Sequence, residues 1–166
     1  MKSIKRRADS FFGIHNDFHA KPADGQVIGA TLKESDLRTI CETLQPDFIQ
    51  IDCKGHPGWT SYPSALGNAM PEISQDLIAM WRKVTREYGI ALYLHYSGLY
   101  EIQYCQAHPE DRIINREGKA LDFARADSNY VDNLLIPQIS ELVDRYDIDG
   151  IWVDGECWAV DMDYRP

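Results

Sequence analysis

The sequence predicts an α/β protein with a parallel sheet, and within that class the first four strands and three helices of a (β/α)8 TIM barrel. Three observations carry this prediction. Short apolar runs alternate with amphipathic helical segments along the chain. Within each run the aliphatic residues keep one parity and the polar residues the other. The polar parity strengthens toward the C-terminal end of every run.

The first run, Phe11 to Asn16, precedes the first helix. That helix opens at Thr31-Leu-Lys-Glu34, capping-box spacing in which the Thr oxygen and the Glu carboxylate satisfy backbone donors at a helix start. Leu37, Ile40, Cys41 and Leu44 recur at helical spacing, and Pro46 follows. The second run is Phe48 to Cys53. The second helix starts after Ser74 and stops before Gly89, with Leu77, Trp81, Val84 and Tyr88 on one face. Ile90 to Tyr96 is the third run. The third helix follows Asp127-Ser128 and carries Val131, Leu134, Leu135, Ile139, Leu142, Val143 and Tyr146. Pro137 lies inside it and should kink it, since proline lacks a backbone donor. The fourth run, Gly150 to Val153, completes the order βαβαβαβ, with connections long enough for right-handed crossovers.

Parity separates a barrel from an open sheet. One face takes Ile14, Ile49, Ile51, Cys53, Leu92, Leu94, Ile151 and Val153. The other takes His15 and Asp17; Gln50, Asp52 and Lys54; Tyr93, His95 and Ser97; Trp152, Asp154 and Glu156. An open doubly wound sheet is covered by helices on both faces and shows near-continuous apolar runs. A face that turns polar at the strand C-termini suits the mouth of a barrel. A full barrel needs about 250 residues, so residues 1–166 are expected to form the N-terminal half of a longer catalytic domain, inactive alone.

Composition narrows the partners. A formal charge of −9 opposes nucleic acid, whose phosphates need a basic face. No apolar stretch is long enough for a membrane span. The basic N-terminus lacks the apolar segment of a secretory signal, so a cytoplasmic location is expected. Cys41, Cys53, Cys105 and Cys157 show no metal-site or redox spacing and are expected as free thiols.

Asp154 is the candidate nucleophile. It ends an apolar strand and precedes Gly155, which sets its carboxylate at the C-terminal rim, where a retaining glycosidase attacks the anomeric carbon. Trp152, Glu156 and Trp158 accompany it, offering rings for sugar C–H faces and carboxylates for hydroxyls. The loop Lys54-Gly-His56-Pro-Gly-Trp59-Thr-Ser-Tyr62-Pro-Ser64 adds a cation, a donor and a stacking platform on a rigid Pro/Gly frame. His15, Asp17, His95 and Tyr96 complete the candidate substrate-binding set.

These segments resemble glycoside hydrolase family 29, the α-L-fucosidases. The strand-two loop is similar to that family's Lys-His-His-Asp-Gly-Phe-x-x-Trp-Pro-Ser, matched by Lys54, His56, Gly58, Trp59, Tyr62, Pro63 and Ser64. Leu92-Tyr-Leu-His-Tyr96-Ser97 looks like its Gly-x-Tyr-Tyr-Ser strand, followed by an acidic position at Glu101. Tyr146-Asp-Ile-Asp149-Gly-Ile-Trp152-Val-Asp154-Gly155 resembles Tyr-x-Pro-Asp-x-x-Trp-Phe-Asp-Gly, whose last Asp is the family's nucleophile. The resemblance implies a retaining glycosidase acting on a terminal glycosidic bond of a carbohydrate. It implies no cofactor and no metal, an acid/base residue from later in the barrel, and compatibility with a homo-oligomer of the full-length enzyme. The chain departs from the family at Gly55 and Pro57, and at Ile14-His15-Asn-Asp17-Phe-His19 in place of His-Trp-Gly. In the family these positions contact sugar hydroxyls, so the departures bear on which sugar is taken.

Two other readings remain open. His15, Asp17 and His19 share one face at strand spacing and could serve a metal-dependent barrel hydrolase, with His95 and Asp154 as further ligands. A non-catalytic carbohydrate-binding fragment is the third reading.

Overall fold

In the computed structural model the described residues are 4–154. Four parallel strands form the centre of the molecule, in the spatial order β1 (Gly13–Asn16), β2 (Phe48–Lys54), β5 (Ala91–Tyr96) and β8 (Gly150–Val153). Sequential neighbours in space, each reached through a helical crossover, make this a mixed α/β fold with a parallel sheet. Among the described residues the sheet does not close into a barrel, and β1 and β8 each pair with one strand.

The register preserves the expected parity. Ile14 pairs with Ile49 and Ile49 with Leu92, while Ile51 pairs with Leu94 and Leu94 with Ile151. This aliphatic face packs on Leu37 and Cys41 of α1 (Glu34–Leu44), on Ile78, Trp81 and Val84 of α2 (Leu77–Tyr88), and on Leu142 and Tyr146 of α4 (Ile136–Tyr146). Burying each such side chain stabilises the fold by about 1.5–3 kcal/mol.

Three local details differ from expectation. The first helix does not start at Thr31: Lys33 is its N-cap residue, and the Asp36 carboxylate accepts the Lys33 backbone N–H at 3.0 Å. Asp36 thus supplies the negative charge that a helix N-terminus favours. The kink expected at Pro137 is a π-helical turn over Val131–Leu135, after which α4 begins with the proline in its first turn. The widened turn absorbs the missing donor and the ring's clash with the preceding carbonyl. Between β5 and α4 lie elements too short for periodicity to reveal: α3 (Ile102–Ala107) and a hairpin of β6 (Arg112–Ile114) with β7 (Ala120–Ala124). The same holds for β3 (Trp59–Thr60) and β4 (Asn68–Ala69) on the loop after β2.

The connection into β8 is fixed by a buried cation. Arg82 of α2 donates to Asp149 Oδ2 at 2.6 Å and to the Asp147 carbonyl at 3.1 Å. Asp149 also accepts the Leu92 backbone N–H at 2.8 Å, which ties α2, β5 and β8 together at their base. Gly150 is required there, because a Cβ would lie 2.3 Å from the Tyr93 ring. Cys41, Cys53 and Cys105 are buried free thiols, as expected, and Cys157 lies outside the described residues. No helix among the described residues is long and apolar enough to cross a membrane.

Candidate active site

The second face of the sheet becomes a site at the C-terminal ends of its strands. Asp52, His95 and Trp152 stand side by side in register on β2, β5 and β8. His95 is buried, and its two ring nitrogens face two carboxylates. Nδ1 lies 2.5 Å from Asp52 Oδ1, and Nε2 lies 2.9 Å from Asp154 Oδ2. An imidazole flanked by carboxylate oxygens on both sides carries hydrogens on both nitrogens and is therefore a cation. Burial alone would lower its pKa, but the hydrogen bonds it donates to Asp52 and Asp154 outweigh burial and raise it to about 9. Asp52 is lifted above the usual carboxylate value by burial, with His95 opposing that rise.

Imidazoles from neighbouring segments surround this pair. The His15 ring is 5.6 Å from His95 and 6.1 Å from Trp152, centroid to centroid. His19 stacks parallel to His95 at 5.8 Å and meets His56 edge-on at 4.4 Å. His56 Nδ1 is 2.7 Å from Ser97 Oγ, and that hydroxyl donates its hydrogen to the Tyr100 carbonyl at 3.0 Å. Ser97 therefore accepts from His56, which assigns the Nδ1–H form to His56. Tyr100 stacks on His56 at 4.6 Å, and Phe123 stacks in turn on Tyr100 at 4.5 Å. The result is a shallow face of imidazole donors and carboxylate acceptors beside Trp152, which is 53% exposed. Such a face suits a neutral polyol with one apolar side.

Of the residues picked out in the sequence, His15, His56, His95, Trp152 and Asp154 come together here, with Asp17 at the edge, 3.2 Å from His19 Nε2. Lys54 and Tyr96 are placed elsewhere. A register shift between Asp52 and Lys54 turns Lys54 inward, where Nζ sits 4.3 Å over the Tyr96 ring, 3.2 Å from Tyr130 Oη and 3.7 Å from Glu101 Oε1. Both residues are fully buried. Burial lowers Lys54 to about 8 against the opposing pull of Glu101. Glu101 itself caps α3 by accepting the Tyr104 backbone N–H, so its carboxylate is committed to structure. Trp59 is half-buried and packs on the Ala20, Ile28 and Met70 cluster. Glu156 and Trp158 lie outside the described residues.

Sequence reasoning did not single out Asp52, Ser97 or Tyr100. Asp52 and Ser97 share the parity of His95, the signal that could have found them. Tyr100 lies on a loop and gives none. The donor set for a cation also differs from the expected trio, since Asp17 and His19 group with Asp52 and His95, and His15 is not among them.

The fold and these side chains define an α/β domain with a polar site at the C-terminal rim of its parallel strands. A family model described as alpha-L-fucosidase matches residues 47–165, more than half of the chain. The chain belongs to the α-L-fucosidase family of glycoside hydrolases. Among solved structures, α-L-fucosidase isoenzyme 2 from Paenibacillus thiaminolyticus superposes with a TM-score of 0.76 at 22% identity, over 88% of this chain and 23% of that one. The α-L-fucosidase from Vibrio sp. strain EJY3 gives 0.55 at 19% identity, over 79% of this chain and 25% of that one. The Thermotoga maritima α-fucosidase in complex with a mechanism-based inhibitor gives 0.55 at 18%, over 74% of this chain and 28% of that one. The chain thus spans about a quarter of the length of these structures. No curated protein sequence matches it.

Proposed function

We propose that residues 1–166 are the N-terminal, nucleophile-bearing portion of a retaining glycoside hydrolase of the α-L-fucosidase type, and that β1, β2, β5 and β8 are the first four strands of its (β/α)8 barrel. The observation that carries the reading is the hydrogen bond from His95 Nε2 to Asp154 Oδ2, 2.9 Å, at the rim of β8. A nucleophilic carboxylate must stay ionised and aimed, and an imidazolium held from behind by Asp52 does both.

The chemistry follows. Asp154 attacks the anomeric carbon as the glycosidic bond breaks, and a second carboxylic acid protonates the leaving oxygen. A covalent glycosyl-enzyme forms, which water then opens with net retention. The acid/base partner should stand roughly 5–5.5 Å from Asp154. Glu101 does not serve, being bound to Lys54 and the start of α3. His15, His56 and Trp152 offer donors and a ring face to the sugar. Asp17 and His19 in the segment after β1, where the family pattern differs, adjust which hydroxyls are read. The test is trapping: a 2-deoxy-2-fluoroglycosyl fluoride panel is applied to the full-length enzyme, and the labelled peptide is sequenced by mass spectrometry. The expected adduct is on Asp154; a stable adduct on another residue would overturn the assignment.

A further inference from the structure

We propose that Asp17, His19, Asp52 and His95 form a binding site for a divalent transition-metal cation, with zinc the best match. One ligand atom from each of the four lies within 4.8 Å of the others. Two of the donor atoms are shut away from solvent and make no hydrogen bond: Asp52 Oδ2 and His19 Nε2. The Asp52 side chain is 0% exposed, and His19 Nε2 stands 3.2 Å from Asp17 Oδ1 without the alignment of a hydrogen bond. Buried polar atoms are normally satisfied, so two orphans in one cluster mark a place built to receive something.

Donor chemistry selects the occupant. Two imidazoles and two carboxylates make a four-coordinate nitrogen–oxygen set of the kind zinc takes, whereas magnesium and calcium favour all-oxygen shells. Asp17 and His19 follow β1, Asp52 stands on β2 and His95 on β5, so three adjacent strands fix the donors. His95 binds through Nδ1, the nitrogen facing Asp52, while its Nε2–H continues to donate to Asp154. That is the carboxylate–histidine–metal arrangement that orients a ligating imidazole. The cation must displace the Nδ1 proton, so binding releases a proton and strengthens as pH rises. The ionisable groups facing His95 are Asp52 from β2, Asp154 from the end of β8, and His15 and His19 from β1 and the segment after it. A cation here occupies the imidazole row assigned above to the sugar and so excludes it; that consequence alone rests on the glycosidase reading.

The test is calorimetric titration of metal-stripped full-length protein with Zn²⁺ in two buffers of different ionisation enthalpy, together with visible absorption of the Co²⁺ form. The expected result is saturation at one ion per chain, with proton release and the intense bands of four-coordinate cobalt. Affinity should fall by about tenfold or more in His19→Ala and in Asp52→Asn, and stay unchanged in His108→Ala. If Asp52→Asn fails to fold, the half-exposed His19 decides alone. Absence of saturable binding, or wild-type affinity in His19→Ala, would overturn the site. Binding is read without turnover, so a failure here leaves the glycosidase reading standing, and the reverse holds as well.

Discussion

At Asp154 one carboxylate oxygen is held by His95, whose other nitrogen is held by Asp52. The consequence for pH is signed. His95 has a folded value of about 9, above the ordinary value of 6.5. The folded state therefore binds this proton more tightly than the unfolded chain does. Its contribution to stability is complete below about pH 6.5 and is lost as the pH rises through about 9. Burial also raises Asp52, a linkage of the same sign, so the comparison is best made with His95→Gln, which leaves Asp52 in place. Thermal unfolding should show the wild-type advantage over His95→Gln shrinking between about pH 6.5 and 9.5. Parallel curves across that window would remove the imidazolium. The same residues show what the sequence could reveal. Asp154, Trp152, His15 and His95 were legible because strand parity alone assigns a face. Lys54 was misplaced, because a one-residue irregularity after Asp52 reverses parity and nothing in the local sequence announces it.

At the scale of elements, the position of β8 depends on α2. Arg82 is nearly buried and joins Asp149 and the Asp147 carbonyl to the Ile90 end of β5. Replacing it by methionine keeps much of the stem but strands the Asp149 carboxylate. Arg82→Met is expected to cost about 3 kcal/mol in urea unfolding, and a change under about 0.5 kcal/mol, typical of an exposed site, would contradict this role. The helices and strands that make this framework were readable from periodicity, within a few residues at their ends. The two-residue strands, α3 and the β6–β7 hairpin were not, since they are shorter than the repeat that periodicity needs. The Pro137 defect was readable as a defect, though not as a π turn.

At the scale of the whole molecule, an acidic chain of formal charge −9 presents a face rich in imidazole at one end of a parallel sheet. Parity separated the two faces in the sequence, and three short motifs in register carried the family resemblance. The convergence of four histidines was less visible, because His19 and His56 lie outside the strands and meet only through the folded loops.

The central claim is that Asp154 forms the glycosyl-enzyme. The most direct measurement compares wild-type and Asp154→Gly full-length enzyme on nitrophenyl glycosides, with and without azide. The variant is expected to lose about 10³-fold or more in kcat, and azide should restore turnover while giving a glycosyl azide of inverted configuration. Full activity in Asp154→Gly, or rescue with retained configuration, would contradict the account.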